Sequence, residues 1–242
     1  MESEEYHLMD EAEDAMWWYR ALHARLTCAL APVRGRVLDA GCGTGGFLAA
    51  LGRARPDLAR IGVEYAAEAA PRAAAKSGAA IVRGSINALP FADASFDAAI
   101  AADVLCHAAV TPAQALAELR RVLRPGGVLI LNMPAYAWLS SAHDRRVHNA
   151  RRITPSELRA WLRDAGFTAA RTRCWNSLLL PIMIVQRKIL ARGEAASDVA
   201  HFPPWLDATL HGISCLERHI PALPFGGSVL ATAARPLSEP TA

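Results

Sequence analysis

The chain has 242 residues, 52% of them hydrophobic, and a formal net charge of +3, enough for one α/β domain with a substantial core and too little for two comfortable ones. Its basic side is nearly all arginine, with Lys76 and Lys188 the only lysines, scattered rather than massed, so no nucleic-acid footprint follows. Cys28, Cys42, Cys106, Cys174 and Cys215 are odd in number and never in C-x-x-C spacing, which speaks against a disulfide framework or a zinc site and for reduced thiols in the cytoplasm.

The acidic stretch from Met1 to Asp14 lacks the basic flank and apolar run of a secretory signal. Met16, Trp18, Leu22, Leu26 and Ala29 then recur at helical spacing, predicting an amphipathic helix from about 10 to 30. Strands are expected at Arg36 to Ala40, Ile61 to Glu64, Ala79 to Arg83, Phe96 to Ala102 and Val128 to Met133. Alternation of these with helical runs implies a doubly wound, mainly parallel sheet. Between the fourth and fifth strands, Thr111 and Pro112 supply an N-cap and a proline at N1, and Arg124-Pro125-Gly126-Gly127 ends the helix. Thr154-Pro155-Ser156-Glu157 is a capping box, with Gly166 as the stop and a strand from Phe167 to about Trp175. Gly227 to Ala234 is the candidate last strand. Residues 176 to 225, too long for a structureless loop, must carry structure of their own. One helix is expected after Pro203-Pro204, through Leu206, Leu210, Ile213 and Ile220, and another over Leu178 to Leu190, kinked near Pro181. The longest apolar run, Leu178 to Val185, is far short of the roughly 20 residues of a membrane span, although it could touch a bilayer surface.

The most telling stretch is Val37-Leu38-Asp39-Ala40-Gly41-Cys42-Gly43-Thr44-Gly45-Gly46-Phe47. It reads as a buried strand running into a glycine turn and then a helix, which leaves backbone N–H groups and bare glycine backbone where a nucleotide-like ligand could lie. Gly41, Gly43 and Gly46 also satisfy G-x-G-x-x-G, the spacing that holds a pyrophosphate in dinucleotide folds, so a nicotinamide-dependent oxidoreductase stays open on spacing alone. Asp39 argues against it, because a fixed negative charge there repels a pyrophosphate but suits a ligand bearing an ammonium and a sulfonium. The segment resembles motif I of the class I S-adenosylmethionine-dependent methyltransferases, hydrophobic-Leu-Asp-x-Gly-Cys-Gly-Thr-Gly, with every position filled. The resemblance implies a Rossmann-like, seven-stranded sheet with an antiparallel last strand, and S-adenosylmethionine as cofactor.

Ligands of such sheets bind beyond the carboxyl ends of the strands. There, Asp39, Gly41, Cys42, Gly43, Thr44 and Gly45 form the glycine turn, Glu64 is placed to accept both ribose hydroxyls, and Tyr65 could lie along the adenine. Gly84-Ser85-Ile86-Asn87-Ala88-Leu89-Pro90-Phe91 is similar to the family segment that encloses adenine. Ser85 stands where an aspartate is usual, so its hydroxyl and the Ile86 backbone are the groups left to serve. Ala102 and Asp103 end the fourth strand and imply backbone contact with the cofactor, and His107 follows as a catalytic candidate or a bland supporting histidine. Trp17-Trp18-Tyr19-Arg20 resembles an element found before motif I in some of these enzymes; there Tyr19 and Arg20 cover the cofactor, with Arg20 on its carboxylate, although an aromatic stripe at helical spacing is as often core. Ser141 to Arg152 resembles a His-Asp…His-x-Arg-Arg segment of one type-11 branch, which shares Pro224-Phe225-Gly226-Gly227-Ser228. His143 and His148 are candidate general bases, against a solvated loop whose arginines pair with Asp144.

The family likeness covers nearly the whole chain and implies one domain: an N-terminal helical cap (1–34), a cofactor-binding core (35–175), a helical insert or lid (176–225), and a last strand and tail (226–242). The expected reaction is S_N2 methyl transfer to a small, hydrophobic or amphipathic molecule, releasing S-adenosylhomocysteine and needing no metal. The apolar insert, with Trp175, Met183, Phe202 and Trp205, is expected to roof the pocket or form a homodimer face. A methyltransferase fold kept as a silent cofactor-binding or partner subunit is the non-enzyme alternative.

Overall fold

The computed structural model describes residues 3–185, 202–221 and 223–238. Short apolar runs rich in Ala, Ile, Leu and Val become the central strands, buried on both faces as a parallel sheet requires, and more polar runs become the edge strands. These are β1 (Arg36–Ala40), β2 (Ala59–Glu64), β3 (Ala80–Arg83), β4 (Phe96–Ala102), β5 (Leu123–Pro134), β6 (Thr168–Trp175) and β7 (Ser228–Ala234). They form one sheet in the order β3-β2-β1-β4-β5-β7-β6, in which β7 runs antiparallel to both of its neighbours and the other pairings are parallel. The chain reverses direction through the sheet between β1 and β2 on one side and β4 on the other, which opens the crevice at their carboxyl ends.

The helices are α1 (Ser3–Ala12), α2 (Trp17–Ala29), α3 (Gly46–Ala54), α4 (Ala69–Ser77), α5 (Pro112–Val122), α6 (Ala142–Arg146), α7 (Pro155–Asp164), α8 (Leu180–Val185) and α9 (Pro204–Glu217). Several differ from the sequence expectation. The helix expected over 10–30 is two helices, because Glu13 turns inward to the sheet and breaks the run; α1 covers the glycine turn and α2 packs on the β1 side. Thr111 sits at the N-cap of α5 without a side-chain bond, and its N–H donates instead to Asn87 Oδ1 at 3.0 Å. Residues 124–127 do not merely end α5. They bulge within β5, where Gly126 N–H donates to the Arg235 carbonyl at 2.9 Å. Pro181 lies in the first turn of α8, where a proline costs no hydrogen bond, rather than kinking a longer helix; the expected continuation to Leu190 lies outside the described residues. The Thr154–Glu157 capping box is present at the head of α7.

One core fills the β4–β5–β7 face and its helices, and a second, around Leu26, Val37, Ile100, Ile130 and Trp175, lies under α2 and α3. Helix α9 is bound to α2 by buried polar contacts as well as by Leu210 against Trp17. Arg25 donates to the Ser214 carbonyl at 2.9 Å and stands 3.8 Å from Glu217, whose other oxygen accepts from Ser177 N–H at 3.0 Å. Met16 cannot cap α2, and Asp207 of α9 takes that role, accepting from Trp17 N–H at 2.6 Å.

Candidate functional site

A cavity of about 710 Å³ opens where the sequence places it, above the carboxyl ends of β1, β2 and β4. Its floor is the glycine turn. Gly41 N–H and Cys42 N–H both donate to the Val63 carbonyl, at 2.8 and 3.1 Å, so the turn is hung from the neighbouring strand. Gly41 has φ +93°, and a Cβ there would stand 2.5 Å from Val104. Gly43 N–H donates to Glu64 Oε2 at 2.9 Å and Ala66 N–H to Oε1 at 2.9 Å, which fixes the Glu64 carboxylate at the cavity wall.

Three carboxylates from different elements converge on this space: Asp39 of β1, Glu64 of β2 and Glu13 of the α1–α2 turn. Burial, then repulsion from Glu64 and Glu13, raises the Asp39 pKa to about 8, and no donor among the described residues reaches its side chain. Burial also raises Glu64, opposed by backbone N–H groups of Ala66, Gly43 and Tyr65. Glu13 is raised by burial as well, against its bonds to Lys76 and Thr44. Negative charge is thus disfavoured in the site, and a cation entering it would draw these carboxyl groups into their ionised forms.

Glu13 also decides between the two nucleotide readings. It accepts from Thr44 Oγ1 at 2.7 Å and from the Gly46 backbone, and a Cβ on Gly46 would stand 2.4 Å from its carboxyl carbon. The chain's own carboxylate therefore fills the N-terminus of α3, the position a pyrophosphate takes in dinucleotide folds.

The far end of the cavity is apolar, walled by Trp17, Trp18 and Leu22 of α2 and by Met183 and Phe202 of the insert. Between the two ends lies a polar shelf formed by Asp103, His107, His148 and Asn149. The loop after β5 is docked rather than solvated: Arg152 grips Asp144 through Nη2 at 2.9 Å to each carboxylate oxygen, with both side chains buried. Arg151 Nη1 donates to the His107 carbonyl at 2.6 Å, and Cys106 Sγ to Asn149 Oδ1 at 3.0 Å.

Residues 38–131 match the family model described as "Methyltransferase domain". A probable S-adenosylmethionine-dependent methyltransferase of Mycolicibacterium smegmatis is 32% identical over 169 residues, 66% of this chain and 63% of that one. Residues 38–131 form a methyltransferase domain of the class I S-adenosylmethionine-dependent type. A demethylmenaquinone methyltransferase of Deinococcus radiodurans is 38% identical over 119 residues, 47% of this chain and 48% of that one. The chain spans from about half to just under two thirds of the length of these curated relatives. Among solved structures, a methyltransferase of Thermotoga maritima superposes with a TM-score of 0.61 at 20% identity, covering 96% of this chain and 95% of that one.

Within this fold, the residues expected at the site do not all meet there. Asp39, Gly41, Cys42, Gly43, Glu64, Tyr65, Ser85, Ile86, Ala102, Asp103 and Tyr19 line the cavity, as do His107 and His148. Thr44 and Gly45 do not: Thr44 is buried against Glu13, and a Cβ on Gly45 would stand 2.7 Å from the Ala73 backbone, so that glycine serves α3–α4 packing. Arg20 points away, 3.7 Å from Asp207 on the α2–α9 seam, because the helical turn that aims Tyr19 inward aims its neighbour out. The ring of His107 is bonded to the backbone of Val147 and Asp103, and burial lowers its pKa, so it ties two loops together. The His143 side chain lies outside the described residues. Trp175 is not part of the roof but lies buried under it, and Trp205 is 69% exposed. Among the described residues no group of His, Cys, Asp and Glu could hold a metal, and no helix is long and apolar enough to cross a membrane.

Sequence reasoning missed Glu13, Tyr6 and Met9, all lining the cavity from around α1. Their signal is weak: an acidic, partly apolar segment with no glycine or proline to mark a turn. It also missed Asn132, whose polar side chain in the otherwise apolar run Val128–Met133 is the one mark that it has a task.

Proposed function

We propose that this protein binds S-adenosylmethionine across the carboxyl-lined end of the cavity and transfers its methyl group to a small hydrophobic or amphipathic acceptor held at the apolar end, releasing S-adenosylhomocysteine. The observation that carries the reading is the set of three carboxylates on one cavity, with Glu13 closing the anion site of α3. A ligand with an ammonium and a sulfonium fits that donor set, and a pyrophosphate does not. When bound, the cofactor supplies an activated methyl group and a neutral thioether leaving group.

The chain's own task is placement. Glu64, held by the backbone N–H groups of Gly43, Ala66 and Tyr65 and touched at 3.5 Å by the Tyr6 hydroxyl, turns its carboxylate to the cavity, where it can accept from ribose hydroxyls. Ser85, Ile86 and Tyr65 flank the adenine side, and Ala102 and Asp103 present backbone toward the methionine side. Trp17, Trp18, Met183 and Phe202 bind the acceptor by burying its apolar surface and exclude water. Holding two reactants in line can supply about 7–11 kcal/mol of the barrier, so the reaction does not depend on a signature base. The five cysteines are all free, which suits action in a reducing compartment such as the cytosol.

The test is calorimetric titration of the protein, its Asp39→Ala and its Glu64→Ala variants with S-adenosylmethionine, S-adenosylhomocysteine and NADPH. Micromolar binding of the first two, lost in both variants, supports the reading. Binding of NADPH alone, or of nothing, overturns it.

A further inference from the structure

The polar shelf holds one group whose arrangement the cofactor site does not account for. Asp103 follows directly on β4 with φ +54°, a left-handed conformation that a non-glycine residue adopts at a cost of order 1–3 kcal/mol. The conformation is held by its N–H, which donates to the Asn132 carbonyl at 2.9 Å. Its effect is to lift the carboxyl group out of the strand line and into the cavity.

The carboxylate itself rests on a relay. Asn132 Nδ2 stands 3.1 and 3.0 Å from the two oxygens of Asp103, and Asn132 Oδ1 accepts from Trp175 Nε1 at 2.8 Å. An indole N–H can only donate, so it fixes which end of the amide faces which neighbour: oxygen to Trp175, NH2 to Asp103. Asn132 is fully buried, and Trp175 is locked between the Trp18 ring, 5.8 Å away in a stacked pair, and the Arg25 guanidinium 4.5 Å from its ring centre. Among the described residues Asn132 alone donates to the Asp103 carboxylate, the Cys106 thiol and the His107 ring being bonded to the Asp103 backbone, so the lone pairs turned toward the cavity are free for a ligand.

Resting on the methyl-transfer reading above, we propose that Asp103 is the carboxylate that faces the transferring methyl group and takes the proton of the acceptor, whose nucleophile is therefore a protic heteroatom, a hydroxyl or an amine. The nucleophile's lone pair forms the bond to the methyl carbon. The carbon–sulfur bond breaks with its electrons going to sulfur, giving the thioether, and the O–H or N–H proton passes to the Asp103 carboxylate, which later releases it to solvent. Burial raises the Asp103 pKa to about 6, within reach of such a transfer. The other titratable or charged groups around it are Asp144 and Arg152 of the docked loop, the Cys106 thiol one turn on, and the His107 ring bonded to the Asp103 backbone. Asn132 and Trp175 are positioning residues.

Sinefungin tests this without knowledge of the acceptor, because it carries an ammonium where the methyl group of S-adenosylmethionine would be, whereas S-adenosylhomocysteine carries nothing there. The dissociation constants of both are measured for the wild type, Asp103→Asn and Trp175→Phe. A charge-assisted hydrogen bond to Asp103 should make sinefungin bind about 10- to 100-fold more tightly than S-adenosylhomocysteine to the wild type. That preference should vanish in Asp103→Asn, with S-adenosylhomocysteine affinity unchanged. It should fall several-fold in Trp175→Phe, which keeps the carboxylate and frees the amide to turn, and it should fade in the wild type as the pH drops below about 6. A wild type without the preference, or a preference that survives Asp103→Asn, overturns the proposal while leaving the cofactor reading intact. Failure of either ligand to bind the wild type overturns both.

Discussion

Replacing Asp39 by Asn should make the free protein more stable while weakening its grip on the cofactor. The unfolded carboxyl titrates near its ordinary 3.8 and the folded one near 8, so between those values the native state holds a proton that the unfolded chain has released. A raised folded pKa stabilises fully only below the unfolded value, and the contribution drains away as pH climbs toward 8. At pH 7 the wild type has therefore lost about 4 kcal/mol relative to an acidic solution, at about 1.4 kcal/mol per pH unit. Part of that shift is repulsion from Glu64 and Glu13, whose own protonation adjusts as Asp39 ionises, so the loss attributable to Asp39 alone is smaller, on the order of 2 kcal/mol. An amide of the same shape carries no charge and escapes it. At about 2–4 °C per kcal/mol for a chain of this size, Asp39→Asn should melt roughly 4–8 °C above the wild type at pH 7. The two proteins should converge near pH 4. Thermal unfolding of both from pH 4.5 to 8.5 makes the comparison, alongside calorimetry with S-adenosylmethionine. A gain that does not change with pH, or a variant less stable than the wild type at pH 7.5, would refute the electrostatic account.

Three further outcomes are expected. Glu217→Ala strands the buried Arg25, whose pKa burial already lowers to about 10, and should cost about 3 kcal/mol in a denaturant melt, uncoupling α9 from α2. Asp144→Asn breaks the buried pair with Arg152 and releases the docked loop; a loss of about 3 kcal/mol, with protease cleavage appearing between 140 and 153, is the expected result, and an unchanged melt would count against it. Thr154→Ala removes one half of the capping box at α7 and should lower stability by only about 1 kcal/mol in the same melt, leaving ligand binding untouched.

The sheet and the glycine turn are legible in the sequence because each depends on neighbours close along the chain: strand composition, the spacing of Gly41 and Gly43, the capping box at Thr154. What is not legible depends on partners far away. Nothing near Arg20 says that Asp207 will claim it, and nothing near Met16 says that the same aspartate will cap α2. The break at Glu13 escapes a periodicity argument because the apolar spacing runs on through it, whereas its cause, Thr44 and Lys76, lies beyond β1. The role of Asp103 hides for the same reason. Its support comes from β5 and β6, and only the folded sheet brings Asn132 and Trp175 to it.

The sheet order carries a consequence for synthesis. Strand β7 is made after β6 yet lies between β6 and β5, and the Trp175–Asn132 bond reaches across it. On the ribosome, β5 must therefore wait with an open edge until residues 228–234 emerge, and β6 has nothing to pair with until then. A nascent chain can lay down the glycine turn and Glu64 early, from β1 and β2, but the support beneath Asp103 is assembled last. Partly made chains could thus hold a ligand before they could act on it.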